Sequence, residues 1–154
     1  DARQKNDALR QIGVQLSASA AESAQAVARV LAQRDELQRQ LAYWQQERFE
    51  RWLASEALGD PAFFAQHMDA AAAKRLCMAA AESLPWAAVF ARTEAGWQFT
   101  MSGKGIDLRP IQKRLCEAFS GRGGGKPDLV QGTLGPCGEA DIRALLSGRP
   151  VMPV

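Results

Sequence analysis

Residues 120–132 read Ser120-Gly121-Arg122-Gly123-Gly124-Gly125-Lys126-Pro127-Asp128-Leu129-Val130-Gln131-Gly132. Three consecutive glycines strip a short stretch of backbone of side chains. Such a stretch can take positive φ values and lets another molecule approach the peptide groups closely. Exposed N–H groups in that setting form a concavity for anions. Arg122 and Lys126 flank it with the charges that phosphate recognition uses. The run is not a Walker A loop, because no Lys-Ser or Lys-Thr follows at the required spacing and no strand leads into it. It is not a dinucleotide fingerprint either, since the pattern around it predicts a preceding helix and a following strand. A second reading of the same residues is a tight helix-to-strand connection that needs small side chains.

Working outward, Asp107 is placed to cap a helix over 108–119, with Leu108, Ile111, Leu115 and Phe119 at helical spacing. A strand over 128–132 follows the glycine-rich loop at 121–127, and residues 139–146 make a last helix. Upstream, Trp86 to Arg92 reads as a strand whose Ala-Ala-Val-Phe-Ala centre is buried on both faces. Glu94-Ala95-Gly96 turns it, and Trp97, Phe99 and Met101 fall on one face of the return strand, which makes a β-hairpin. Phe63-Phe64-Ala65 is a short strand, and Asp69 caps a helix through the alanine-rich run that follows. The order β-α-β-β-α-β-α implies an α/β domain, bordering on α+β, with a mixed sheet and flanking helices.

The first part of the chain has a different character. Residues 1–58 hold one glycine, Gly13, and no proline, whereas the remainder carries twelve of the thirteen glycines and all seven prolines. Ala, Gln, Leu, Arg and Glu dominate the first part, and these are strong helix formers. The boundary falls at Gly59-Asp60-Pro61, giving a helical arm over 1–58 and an α/β domain over 61–154. One helix ends near Ser17-Ala18-Ser19, and Ser19 with Glu22 forms a capping box for a second. That second helix, from about Ala20 to Leu58, would be nearly 60 Å long at ~1.5 Å per residue. Val30, Leu37 and Trp44 recur every seventh residue with Val27 and Leu41 on the other core position, although Arg34 interrupts the repeat. A helical hairpin or a coiled-coil arm forming a homodimer is expected, with Trp44, Phe49 and Trp52 as its aromatic surface. A linker helix with a narrow apolar stripe is the other reading.

Composition narrows the function classes. The 154 residues are 47% hydrophobic and 23% charged, as in an ordinary soluble protein. No apolar run approaches the ~20 residues of a membrane span. The opening Asp1-Ala2-Arg3-Gln4-Lys5-Asn6 has neither an initiator Met nor an apolar signal core, and reads as a cut inside a longer chain. Net charge is only +2, but six cations (Lys104, Arg109, Lys113, Arg114, Arg122, Lys126) lie between 104 and 126 against Asp107 and Glu117. Such a cluster attracts polyanions, or else forms a solvated helix face. Cys77, Cys116 and Cys137 form no CxxC pair, so reduced thiols of a cytoplasmic protein are expected. His67 is the one histidine, and a lone histidine cannot assemble a zinc site of three or four ligands. No catalytic triad or dyad is visible.

The glycine run with its flanks closely resembles the signature of the DHH-associated domain, found at the end of alanyl-tRNA synthetases and of long-form free-standing alanyl-tRNA editing proteins. The resemblance covers Phe63 to Leu146 and extends more loosely over the arm. Ser120 stands where the family often has another glycine. Lys126 stands where the related phosphoesterase branch has a histidine, which favours the alanyl-tRNA branch over a phosphodiester-cleaving one. The resemblance implies a non-catalytic tRNA-binding or oligomerising region of an aminoacyl-tRNA hydrolase or synthetase. Its partner would be tRNA(Ala), and the zinc-dependent editing domain that removes seryl or glycyl groups would lie upstream. It implies no cofactor in this region. Arg122, Gly123, Gly124, Gly125, Lys126, Arg109, Lys113 and Arg114 would contact tRNA, and Val30, Leu37, Leu41 and Trp44 would mediate self-association. A purely structural dimerisation domain and a nucleotide-binding domain of a DHH-type phosphoesterase are the alternatives.

Overall fold

The computed structural model describes residues 2–18, 20–55 and 59–148. Two helices open the chain: α1, Ala2–Ala18, and α2, Ala20–Ser55. Ser19 and residues 56–58, which carry the expected capping box and the expected end of α2, lie outside the described residues. The chain divides into two compact units, Asp1–Trp44 and Gln45–Val154, with the division falling inside α2.

Among the described residues of the first unit no side-by-side hairpin forms. Leu9, Ile12 and Val14 of α1 stay exposed, as do Val27, Val30, Leu31, Leu37, Leu41 and Trp44 of α2. The reason is visible in α1, which is rich in Arg, Gln, Lys and Asn and presents too few apolar residues to cover a second helix. The expected aromatic surface also separates. Trp44 is exposed, whereas Phe49 and Trp52 are buried in the core of the second unit and offer nothing to a partner.

The second unit is built on five strands, β1 (Ala62–Ala65), β2 (Trp86–Thr93), β3 (Gly96–Gly103), β4 (Arg122–Lys126) and β5 (Leu129–Leu134). Three helices accompany them, α3 (Ala70–Ser83), α4 (Arg109–Ala118) and α5 (Glu139–Leu146). The sheet order is β1-β2-β3-β5-β4, with β1 parallel to β2 and every other pair antiparallel. Helix α3 provides the crossover that a parallel pair requires. Its start is capped by Asp69, whose carboxylate takes the Ala72 N–H at 2.6 Å.

Strand β2 is buried on both faces, as its apolar run predicts. Ala87 and Val89 turn to a core shared by Phe63, Ala65, Ala73, Cys77 and Ala80 together with Phe49 and Trp52 of α2. Ala88 and Phe90 turn to the other core, with Trp97, Phe99 and Met101 of β3, Val130 and Leu134 of β5, Leu108 and Leu115 beside and on α4, and Ile142 and Leu145 of α5. Small residues on α3 let it lie close to the sheet. Burial pushes the Cys77 thiol up to about 12, so it stays protonated, with its sulfur 3.1 Å from the Ala87 carbonyl oxygen.

The glycine run is the main correction to the sequence reading. Residues 121–127 are not a loop: Arg122–Lys126 forms the edge strand β4, so the order is β-α-β-β-α-β-β-α. Pro127-Asp128 supplies a two-residue turn that folds β4 back on β5, with Lys126 opposite Leu129. Glycine weakens a strand without forbidding it, and the hairpin partner overrides that propensity.

The burial of Trp52 and the exposure of Trp44 give opposite expectations for two alanine substitutions. Trp52→Ala should cost about 3–5 kcal/mol in urea unfolding of the packed unit. It also removes the indole hydrogen bond to the Asp60 carbonyl at 3.0 Å. Trp44→Ala should change the stability of that unit by less than about 0.5 kcal/mol. Equal effects would contradict the division inside α2.

Candidate nucleic-acid interface

Register decides which face of β4 each residue serves. Cross-strand partners share a face. Arg122, Gly124 and Lys126 pair with Thr133, Gln131 and Leu129 and lie on one face, while Gly123 and Gly125 pair with Gly132 and Val130 on the other. Val130 is buried in the core beneath α4 and α5, so Gly123 and Gly125 belong to the helix-covered face. Arg122, Gly124 and Lys126 therefore send their substituents from the opposite face, beside the exposed Gln131 and Thr133.

The glycines then separate by role. A Cβ at Gly123 would sit 2.6 Å from the Gln131 carbonyl oxygen and 3.0 Å from the Gly132 Cα, so the close approach of β4 to β5 requires a bare position there. Gly125 has φ of +154°, which an L side chain rarely adopts. Gly124 differs from both. A Cβ there would meet nothing within 4 Å, and its φ is not in the left-handed range. Packing explains its neighbours; it does not explain Gly124.

The eight residues expected to touch nucleic acid do not converge on one surface. A shallow groove of about 560 Å³ between α4 and β4 is bordered by Arg109, Gln112, Lys113, Cys116, Glu117 and the first residues of β4, Arg122 and Gly123 among them. Arg114, Gly124, Gly125 and Lys126 lie outside it. Gln112 and Cys116 carry no sequence signal for this site; they enter because they sit one turn apart on the same side of α4, with the Gln112 amide 3.2 Å from the Cys116 sulfur.

The cations also differ in how free they are. Arg109 grips Asp107 through two nitrogens, at 2.9 and 2.7 Å. Asp107 additionally takes the Arg109 backbone N–H at 3.1 Å and so secures the start of α4. The Arg109 side chain beside it holds the Asp107 carboxyl down from 3.8 to about 2. Lys113 lies 3.9 Å from Glu117, a loose pair between exposed side chains. Among the described residues no ion pair involves Arg114, Arg122 or Lys126. The unopposed charge thus sits on the outer side of α4 and on the open face of β4.

His67 lies just past β1 with its side chain exposed, and its carbonyl oxygen accepts a hydrogen bond from the Gln45 amide. Among the described residues no group of three or more His, Cys, Asp or Glu side chains is arranged to hold a metal ion. No described helix is long and apolar enough to cross a membrane.

No family model matches the sequence, and no curated protein matches it. Among solved structures, RecJ from Thermus thermophilus, crystallised with Mg2+, is similar to this chain with a TM-score of 0.39 and 15% identity. The match takes in 73% of this chain and 18% of that one, so the chain spans under a fifth of the length of that protein.

Two substitutions separate the roles of the glycines. Gly123→Ala should destabilise the packed unit by about 1–3 kcal/mol, because the strand must shift away from β5. Gly124→Ala should be neutral or stabilise by up to about 1 kcal/mol, since it restricts the unfolded chain and meets no obstacle. Thermal unfolding of both variants checks this. At Asp107 the sign is fixed by the lowered pKa. Its contribution is present above the ordinary carboxylate range and is lost as pH falls from about 4 toward 2, with an NMR titration midpoint near 2 expected for Asp107. Asp107→Asn releases Arg109 and should strengthen binding of a polyanion such as heparin at low salt.

Proposed function

We propose that this chain is a non-catalytic, nucleic-acid-binding region, related to the C-terminal part of alanyl-tRNA editing proteins, whose partner is tRNA. The observation that carries this reading is Gly124. It is a bare, unobstructed residue on the open face of an edge strand, between two cations that have no ion-pair partner among the described residues. A phosphate or sugar can approach the peptide backbone there without meeting a side chain, with Arg122 and Lys126 placed to either side. Arg114 and Lys113 on α4 extend the charge beyond the strand edge. In this reading the chemistry of the whole protein, hydrolysis of a mischarged aminoacyl-tRNA with zinc as its metal, belongs to another part of it, in the cytoplasm.

A second activity has its own support. Val30, Leu37, Leu41 and Trp44 fall at heptad spacing on α2 and are 45–64% exposed, a stripe that a second copy of the chain would cover. Self-association through the first unit and nucleic-acid binding through the second are compatible.

Titration with tRNA(Ala) and with an unrelated tRNA at about 50 and about 200 mM salt tests both, with light scattering on the same samples. About three neutralised phosphates predict a ~30-fold loss of affinity over that range, while apolar association barely responds. Arg122→Ala with Lys126→Ala should weaken tRNA binding and leave the oligomer intact. Salt-insensitive binding, or a double variant that binds normally and fails to associate, would overturn the assignment of the glycine strand.

A further inference from the structure

The other edge of the sheet carries a second cationic feature, remote in sequence from the glycine strand. A cleft of about 250 Å³ is walled by Arg48, Arg51 and Trp52 of α2, by β1, and by Glu139 and Arg143 of α5. All of it lies within the packed unit from Gln45 onward. Its floor follows from the parallel register. Ala88 donates its N–H to the Pro61 carbonyl oxygen, so Ala62 and Phe64 turn their N–H and C=O groups away from β2. Asp60 takes the Ala62 N–H at 3.2 Å, and Arg48 donates to the Phe64 carbonyl oxygen at 3.0 Å. The same alternation directs the Phe64 N–H toward the cleft.

Two of the three guanidinium groups are held against aromatic walls. Arg48 lies 5.4 Å from the centre of the Phe63 ring and Arg143 lies 4.6 Å from that of Phe64. Stacking and the carbonyl contact fix these side chains before any ligand arrives, which reduces the ordering cost of binding. Arg143 is neutralised by Asp60 and more loosely by Glu139 at 3.9 Å. Among the described residues Arg48 and Arg51 form no ion pair. Three cations against two carboxylates leave the cleft one positive charge in excess, beside apolar walls that strengthen electrostatic attraction.

We infer that this cleft binds a small oxyanion, a free phosphate or the phosphate or carboxylate head of a small molecule, held between Arg48 and Arg51 on α2 and Arg143 on α5. The bound anion bridges the end of α2 to α5. The site is independent of the glycine strand and does not rest on the nucleic-acid reading.

The test is calorimetric titration of the whole chain with inorganic phosphate, at constant ionic strength maintained with chloride. The wild-type chain should bind phosphate saturably. Arg51→Gln, an exposed change, should weaken that binding about tenfold or more, as loss of a charge-assisted hydrogen bond does. Glu139→Gln should tighten it by removing an opposing charge. Arg122→Ala with Lys126→Ala should leave it unchanged, which separates this site from one that takes phosphates of a nucleic acid. Melting curves without phosphate establish that each variant is folded. No saturable binding by the wild-type chain, or weakening by the Arg122/Lys126 pair but not by Arg51→Gln, would overturn the inference.

Discussion

Strands β4 and β5 approach so closely that positions 123 and 132 face each other without room for a side chain. A Cβ at Gly132 would come within 2.3 Å of the Arg122 carbonyl oxygen and 2.8 Å of the Phe99 ring. That contact fixes the register of the last strand. With Gly123 opposite Gly132 and Lys126 opposite Leu129, the alternation of a strand leaves no choice about Arg122, Gly124 and Lys126. They must occupy the face that α4 does not cover. A slip of one residue would place Arg122 and Lys126 against Val130 and Leu134, burying charge without a partner. The open, cationic face of β4 is thus a consequence of how its helix-covered face is packed.

The two edges of the sheet are managed in opposite ways. At β1 two of the backbone groups turned away from β2 are taken up by neighbouring side chains: Arg48 on the Phe64 carbonyl oxygen and Asp60 on the Ala62 N–H. Beyond its ends, Trp52 reaches the Asp60 carbonyl and Gln45 that of His67. These contacts close the edge against pairing and bring the arginines of α2 to the cleft. At β4 no described helix covers the outer face, and every residue of the strand is exposed. Its protection against adding a second copy is charge. Antiparallel pairing of two β4 strands centred on Gly124 would set Arg122 of one against Lys126 of the other, a like-charge opposition that destabilises such pairs.

Much of the packed unit is legible in the residues because its signals are local. The alternation in Trp97, Phe99 and Met101, the Asp69 cap and the spacing of Leu108, Ile111 and Leu115 each depend on neighbours a few positions away. The glycine run reads as a loop because propensity alone argues against three glycines in a strand. Its partner β5 lies across a turn, and tertiary pairing decides the matter. For the same reason the six cations between 104 and 126 read as one patch. Nothing in a linear count reveals that Arg109 is held by Asp107, or that Arg122 leaves the opposite face from α4. Phe49 and Trp52 read as a loose continuation of the arm's apolar stripe, although the strict heptad positions past Trp44 are Arg48 and Arg51 and both aromatics pack on Phe63. The Arg48, Arg51 and Arg143 cleft has no sequence signal beyond a pair of arginines three apart on one helix.

In the proposed function, the backbone around Gly124 is what a nucleic acid approaches. Selective labelling of the glycines with 15N, followed by amide NMR during titration with tRNA, addresses it directly. Gly124 should shift most, with its strand neighbours Gly123 and Gly125, while Gly13, Gly105 and Gly148 stay in place. Shifts confined to glycines outside β4, with the β4 amides unmoved at saturation, would contradict it.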